Sequence, residues 1–126
     1  MSQDIVSDAL SNIMNAKRAG KSEIVIARKS KLLISLLKVM QEKGIVIFKE
    51  SEDGVKVNFE KLNECKVIKP RFKVRGRIET DIDKYMRRYL PSRNLGFLVI
   101  STNKGLVTHE EALENKQGGC LIAYFY

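Results

Sequence analysis

The stretch GIVIFKESEDGVKVNFE, Gly44 to Glu60, carries two apolar patterns on either side of one turn. Ile45 to Phe48 is a continuous apolar run, the pattern of a buried strand that ends at Lys49. Val55, Val57 and Phe59 alternate with Lys56, Asn58 and Glu60. Period two gives a strand one apolar face and one wet face. Ser51 to Gly54, with Asp53-Gly54 inside it, supplies the chemistry of a tight turn. The segment reads as a β-hairpin, and its neighbours must cover its apolar face.

On the N-terminal side, Ser30 is placed to cap a helix running to Lys43, with Leu33, Leu36, Leu37 and Met40 on its buried face and Gly44 as its stop. Ser22 to Ala27 is a short strand. Asp4 to Arg18 is an amphipathic helix with Val6, Leu10 and Ile13 at helical spacing, Asp4 as N-cap and Gly20 as stop. On the C-terminal side, Cys65 to Arg75 is a strand. Thr80 starts a helix whose stripe is Ile82, Tyr85, Met86 and Tyr89, and Pro91 forbids continuation. GFLVIS is a strand and STNKG a polar turn. Thr108 and Glu111 form a capping box for a helix to about Lys116. Gly118-Gly119 breaks the chain before a last strand, CLIAYFY.

The expected fold class is α+β. An N-terminal αβαβββ lobe with a small three-stranded sheet occupies residues 1–78, and a helix and linker occupy 79–94. A smaller C-terminal α+β lobe occupies 95–126. About 33 residues cannot hold a core alone, so this lobe must pack against the first, through Tyr124 and its neighbours.

The 126 residues are 44% apolar, enough for an ordinary core. No apolar run approaches the ~20 residues of a membrane span. MSQDIVSDAL carries acids where a signal peptide carries bases, so a cytoplasmic location is expected, without membrane contact. Cys65 and Cys120 lie far apart and His109 is the single histidine, so no metal site is expected. Both cysteines read as small hydrophobes in a reducing compartment.

The net charge of +8 sits in two blocks. Residues 17–31 hold six bases and one acid, and residues 66–93 hold ten bases and three acids. The remaining stretches are near neutral or acidic, and 94–126 stands at −1. Concentrated cations on a folded body point to a polyanionic partner.

Within the second block, Lys69, Arg71, Lys73, Arg75 and Arg77 occupy every second position. On a strand they share one face, while Phe72, Val74 and Ile78 face the core. Edge strands also carry Lys to block sheet-to-sheet pairing. The neighbouring hairpin strand offers Lys56, Asn58 and Glu60, whose charges cancel, so it cannot neutralise the stripe. Arg suits bidentate phosphate contact, which favours a polyanion face over a solvated edge. The first block comprises Lys17, Arg18, Lys21, Arg28, Lys29 and Lys31, around the entry to the second helix, whose N-terminus also favours phosphate. Asn12 and Asn15 stand on the exposed side of helix one, where they bind sugar or phosphate or are simply solvated.

STNKGLVTHEEA, Ser101 to Ala112, places two hydroxyls, an amide and a lysine beside a mobile glycine. Such groups read base edges or ribose hydroxyls, although the same composition makes ordinary turns. The whole segment STNKGLVTHEEALENKQGGCLIAYFY resembles the C-terminal signature of the small-subunit ribosomal protein S-eight family. DIVSDALSNIMNAKRAG resembles that family's opening helix, and KPRFKV, YLPSRNLGF and THEEA resemble its archaeal and eukaryotic branch, most closely the archaeal. The resemblance covers essentially the whole chain.

The resemblance implies a structural constituent of the small ribosomal subunit. It implies early binding to a helix in the central domain of small-subunit ribosomal RNA, which helps that domain fold. It implies a protein monomeric when free, with neighbouring ribosomal proteins as further partners and no cofactor. Some bacterial members of the family also repress translation by gripping a messenger mimic of the same site. The positions that match the recognition motif are Ser101, Thr102, Asn103, Lys104, Gly105, Thr108, Gly118 and Gly119. Asn103 stands where bacterial members usually have Ser. Asn12, Asn15, Arg18, Lys29, Lys31 and the five-cation stripe are the electrostatic candidates.

An enzyme is not expected. His109, Glu110, Glu111 and Cys120 show no nucleophile–base spacing, and no glycine-rich phosphate loop is present. Helix-turn-helix and zinc-finger spacings are absent as well. Because 94–126 carries −1, recognition there is expected to rest on shape and hydrogen bonds, with the cations elsewhere supplying non-specific attraction.

Overall fold

The computed structural model describes residues 5–28, 30–74, 78–92 and 95–126, with side chains outside the description at 69–73. Among these residues four helices and seven strands follow in the order α1 (Ile5–Arg18), β1 (Glu23–Ile26), α2 (Lys31–Glu42), β2 (Ile47–Ser51), β3 (Gly54–Asn58), β4 (Cys65–Val74), α3 (Ile78–Tyr89), β5 (Phe97–Thr102), β6 (Gly105–Thr108), α4 (His109–Asn115) and β7 (Gly119–Phe125). The class is α+β, with two antiparallel-paired sheets in two compact units, residues 1–66 and 67–126.

The first unit is a three-stranded sheet in the order β1-β3-β2, with α1 and α2 packed on it and on each other. Ser30 caps α2, its hydroxyl accepting from the Leu33 N–H at 3.1 Å. Leu33, Leu36, Leu37 and Met40 are buried, as are Leu10 and Ile13 of α1 and Val55 and Val57 of β3. The expected cap Asp4 lies outside the described residues.

The apolar run at 45–48 behaves differently from its pattern. The strand begins at Ile47, Val46 is buried, and Ile47 is 64% exposed. With helices on one face only, a three-stranded sheet leaves its other face wet, and β2 is an edge strand of that sheet.

The second unit is a four-stranded sheet in the order β4-β7-β5-β6. Its core gathers Ile68, Val74, Ile82, Tyr85, Leu90, Leu98, Ile100, Ala112, Leu121 and Tyr124. Strand β4 and helix α3 therefore pack with the C-terminal elements, and the packing divides the chain at Lys66/Val67. Tyr124 stacks on Tyr89 of α3, with ring centroids 5.5 Å apart, so the last strand takes its partner within this unit. Pairing of β5 with β7 shifts register between Val99 and Ile100.

Three local expectations change. Helix α3 starts at Ile78, so Thr80 lies inside it and Ile78 belongs to the helix rather than to the preceding strand. Residues 105–108 form a strand, β6, where only a turn and a helix start were expected. Thr108 holds the N-cap position of α4 but makes no side-chain cap bond, and its fully buried Oγ1 has no partner among the described residues.

Gly54 has φ +137, and a Cβ there would run into the Ile26 carbonyl of the paired strand β1. Gly54→Ala is expected to cost about 3 kcal/mol, the upper end of ordinary single substitutions, in urea unfolding. Gly44→Ala, at φ +75 with open space around it, should cost clearly less.

The Cys65 thiol donates weakly to the Leu10 carbonyl at 3.9 Å. Burial, reinforced by Glu64, pushes its pKa up to about 12 from 9.0. The unfolded chain releases this proton first, so the contribution to stability is whole below pH 9 and lost towards about 12. At pH 8 an alkylating reagent should modify the half-buried Cys120 well before Cys65, and Cys65 should react only on unfolding.

Candidate nucleic-acid interface

The antiparallel pair β5–β6 turns at Asn103-Lys104, with Ser101 opposite Leu106 and Thr102 opposite Gly105. The Thr102 hydroxyl accepts from the Lys104 N–H at 3.2 Å and donates to the Gly105 carbonyl at 2.9 Å. Its proton and one lone pair are both committed to holding the turn. Asn103 and Lys104 are exposed at the tip. Gly105 adopts φ +112, and a Cβ there would meet nothing within 4 Å, so a ligand can approach its backbone.

Strand β7 starts beside this turn. Cys120 pairs with Ser101, and a Cβ on Gly119 would strike the Ser101 carbonyl oxygen. Gly119 is thus required by close strand approach, and Gly118, half-buried, leads into it. The fold brings Ser101, Thr102, Asn103, Lys104, Gly105, Gly118 and Gly119 together. It does not bring Thr108 with them: this residue pairs with Val99 at the far end of β6 and is fully buried.

Lys69, Arg71 and Lys73 lie on β4, at one end of the strand order, while Arg75 and Arg77 fall outside the described residues. The extended backbone expected for this stretch is present from Cys65 to Val74. Three cations of α3 belong to the same charge block without standing out from it by pattern. Lys84 sits over the Tyr85 ring at 5.5 Å, Arg88 over the Tyr89 ring at 5.4 Å, and Arg87 pairs with Asp83 at 3.1 Å. Cation–aromatic pairs at adjacent positions, KY and RY, are the sequence signal that could have found two of them.

These placements alter the electrostatic picture. Residues 67–126 hold eleven bases and six acids, net +5, so the unit that bears the polar turn is itself cationic. The value of −1 belongs to 94–126 alone.

In the first unit, Asn12 and Asn15 are exposed on α1, and Arg18 donates to Asn15 Oδ1 at 3.3 Å. Asn12 and Arg28 line one cavity of about 250 Å³ with Asp8. Lys31 lines a groove of about 500 Å³ with Ser30, Ser35, Lys38 and Glu50. Lys29 lies outside the described residues.

His109 is buried, and its Nδ1 accepts from the Leu98 N–H at 3.2 Å. The histidine is a backbone-satisfying core residue. Among the described residues no three His, Cys, Asp or Glu side chains cluster to hold a metal ion, and no helix is long and apolar enough to cross a membrane.

A family model for ribosomal protein S8 matches residues 4–126. The small ribosomal subunit protein uS8 of Nanoarchaeum equitans is 40% identical over 132 residues, covering all of both chains. That of Desulfurococcus amylolyticus is 38% identical, covering 98% of this chain and 97% of the relative. Protein uS8A of Schizosaccharomyces pombe is 36% identical over 98% of each chain. Archaeal and eukaryotic relatives thus align from end to end.

His109→Ala would leave the buried Leu98 N–H unpaired and is expected to cost about 2 kcal/mol in thermal or urea unfolding. Thr102→Val removes both turn bonds at an exposed site and should cost about 1 kcal/mol.

Proposed function

The chain belongs to the ribosomal protein S8 family, and from that premise we propose that it is a structural, non-catalytic constituent of the small ribosomal subunit. It binds a helical element in the central domain of small-subunit ribosomal RNA and helps that domain fold during assembly. The supporting observation is the locked hairpin turn. The Thr102 hydroxyl rigidifies it, which leaves Ser101, Asn103 and Lys104 to meet the ligand beside the bare backbone of Gly105.

That set of groups suits an irregular RNA site. The Asn103 amide both donates and accepts, the Ser101 hydroxyl does the same, and Lys104 supplies one charge. An A-form helix hides its major-groove edges, so direct reading needs a bulge, a loop or the 2′-hydroxyls of the shallow groove. A turn fixed before binding loses little entropy on contact. The surrounding cations of the second unit, and those near α1 and α2 in the first, add attraction to phosphate that does not depend on sequence.

Binding to small-subunit ribosomal RNA and to a random duplex, measured at several salt concentrations, tests the division of labour. Asn103→Ala should weaken the ribosomal target by about 1–2 kcal/mol, roughly ten-fold, and leave the random duplex nearly unchanged. Substituting Arg71 or Lys73 should weaken both RNAs alike and flatten the salt dependence by about one unit for each phosphate no longer neutralised. Equal losses on both RNAs from Asn103→Ala would refute recognition by the turn.

A further inference from the structure

The first unit has a sheet face that the RNA reading leaves unused. Helices α1 and α2 cover the side bearing Ile26, Val55 and Val57. Register places the opposite side in two rows across β1, β3 and β2: Val25, Lys56 and Lys49, then Glu23, Asn58 and Ile47. Val25 is 59% exposed and Ile47 64%. They are two of three large hydrophobics so exposed among the described residues, and they share this face.

Its charges do not balance. Lys49 and Lys56 stand directly opposite each other, and like charges in that position repel. Glu23 reaches Lys56 at 3.5 Å, and the two rows hold this one carboxylate against two ammonium groups. A shallow cavity of about 200 Å³ is lined by Glu23, Ile47, Phe48, Lys49, Lys56 and Asn58. The face asks for aliphatic groups over Val25 and Ile47 and for a carboxylate at Lys49.

We propose that this face docks an acidic, aliphatic segment of a neighbouring protein in the small subunit, an inference that rests on the ribosomal role proposed above. RNA fits the chemistry less well. Its phosphates would meet the exposed Glu23, and protein–nucleic acid interfaces are more polar than protein–protein ones, whereas Val25 and Ile47 offer exposed aliphatic surface here. Addition of a strand at the β2 edge is disfavoured, because the Phe48 N–H is taken by Gln41 Oε1 at 3.0 Å. The face, rather than the edge, is what a partner covers.

Size sets the strength. Three short strands spaced about 4.8 Å apart present an area well below the ~800 Å² per partner of a stable free complex. The contact therefore forms only where shared RNA already holds the two proteins side by side and raises their effective concentration.

The test is site-directed photocrosslinking in small subunits reconstituted from purified RNA and proteins. A benzophenone amino acid replaces Val25 in the full chain, and adducts are identified by mass spectrometry. The expected adduct is a ribosomal-protein peptide that carries Asp or Glu among aliphatic residues. Adding Lys49→Glu should lower its yield about ten-fold while RNA footprints stay unchanged. Adducts confined to nucleotides, the absence of adduct in the assembled particle, or a yield insensitive to Lys49→Glu would each overturn the proposal. Failure of the chain to enter the particle at all would instead overturn the ribosomal role beneath it.

Discussion

Strand β7 pairs on both sides. It lies between β4 and β5, so the last strand in the sequence joins the strand carrying the cationic repeat to the strand leading into the polar turn. Close approach makes this possible: Gly119 enters against the Ser101 carbonyl, where any side chain would collide. From there Leu121 and Tyr124 reach the core shared with Ile68 and Val74 of β4 and with Ile82 and Tyr85 of α3. Without that insertion β4 has no sheet to belong to, and the turn has nothing stiff behind it.

The same strand order explains why the charge block and the polar turn occupy one unit. Counting along the chain separates a basic middle from a nearly neutral end. Pairing reunites them, and the unit that results is net +5. Under the proposed RNA-binding role, electrostatic attraction and hydrogen-bond reading would differ in which atoms carry them, not in which unit. Positioned cations come from α3 as well, where aromatic neighbours hold Lys84 and Arg88.

Much of this was legible from local chemistry. Ser30 announced its helix, the Asp53-Gly54 turn announced its hairpin, and period two announced β3. The segment Ser101 to Gly105 was legible locally as a polar turn, but its residue types also make ordinary turns, and only the family resemblance marked it as a candidate site. What could not be read depends on neighbours distant in sequence. The run at Ile45 to Phe48 is apolar in pattern, yet helices cover only one face of its sheet, and Ile47 is left exposed on the other. Strand β6 is four residues long and owes its existence to β5. Thr108 matched a capping box, but its side chain is buried and its hydroxyl makes no bond to the helix N–H groups. The division at Lys66/Val67 follows from β4 pairing with β7, which lies about fifty residues further on and which no window along the chain contains.

The sealed hydroxyl of Thr108 bears on how this chain is tuned. A buried polar atom without a partner costs about 1–3 kcal/mol, and a valine of the same outline would not incur that cost. The natural residue is therefore below the best that its own cavity admits. Proteins are held to a threshold of sufficiency rather than to a maximum. Here the unused stability lies at the end of β6 away from the turn, where it can be recovered by design without touching the groups exposed at Asn103 and Lys104.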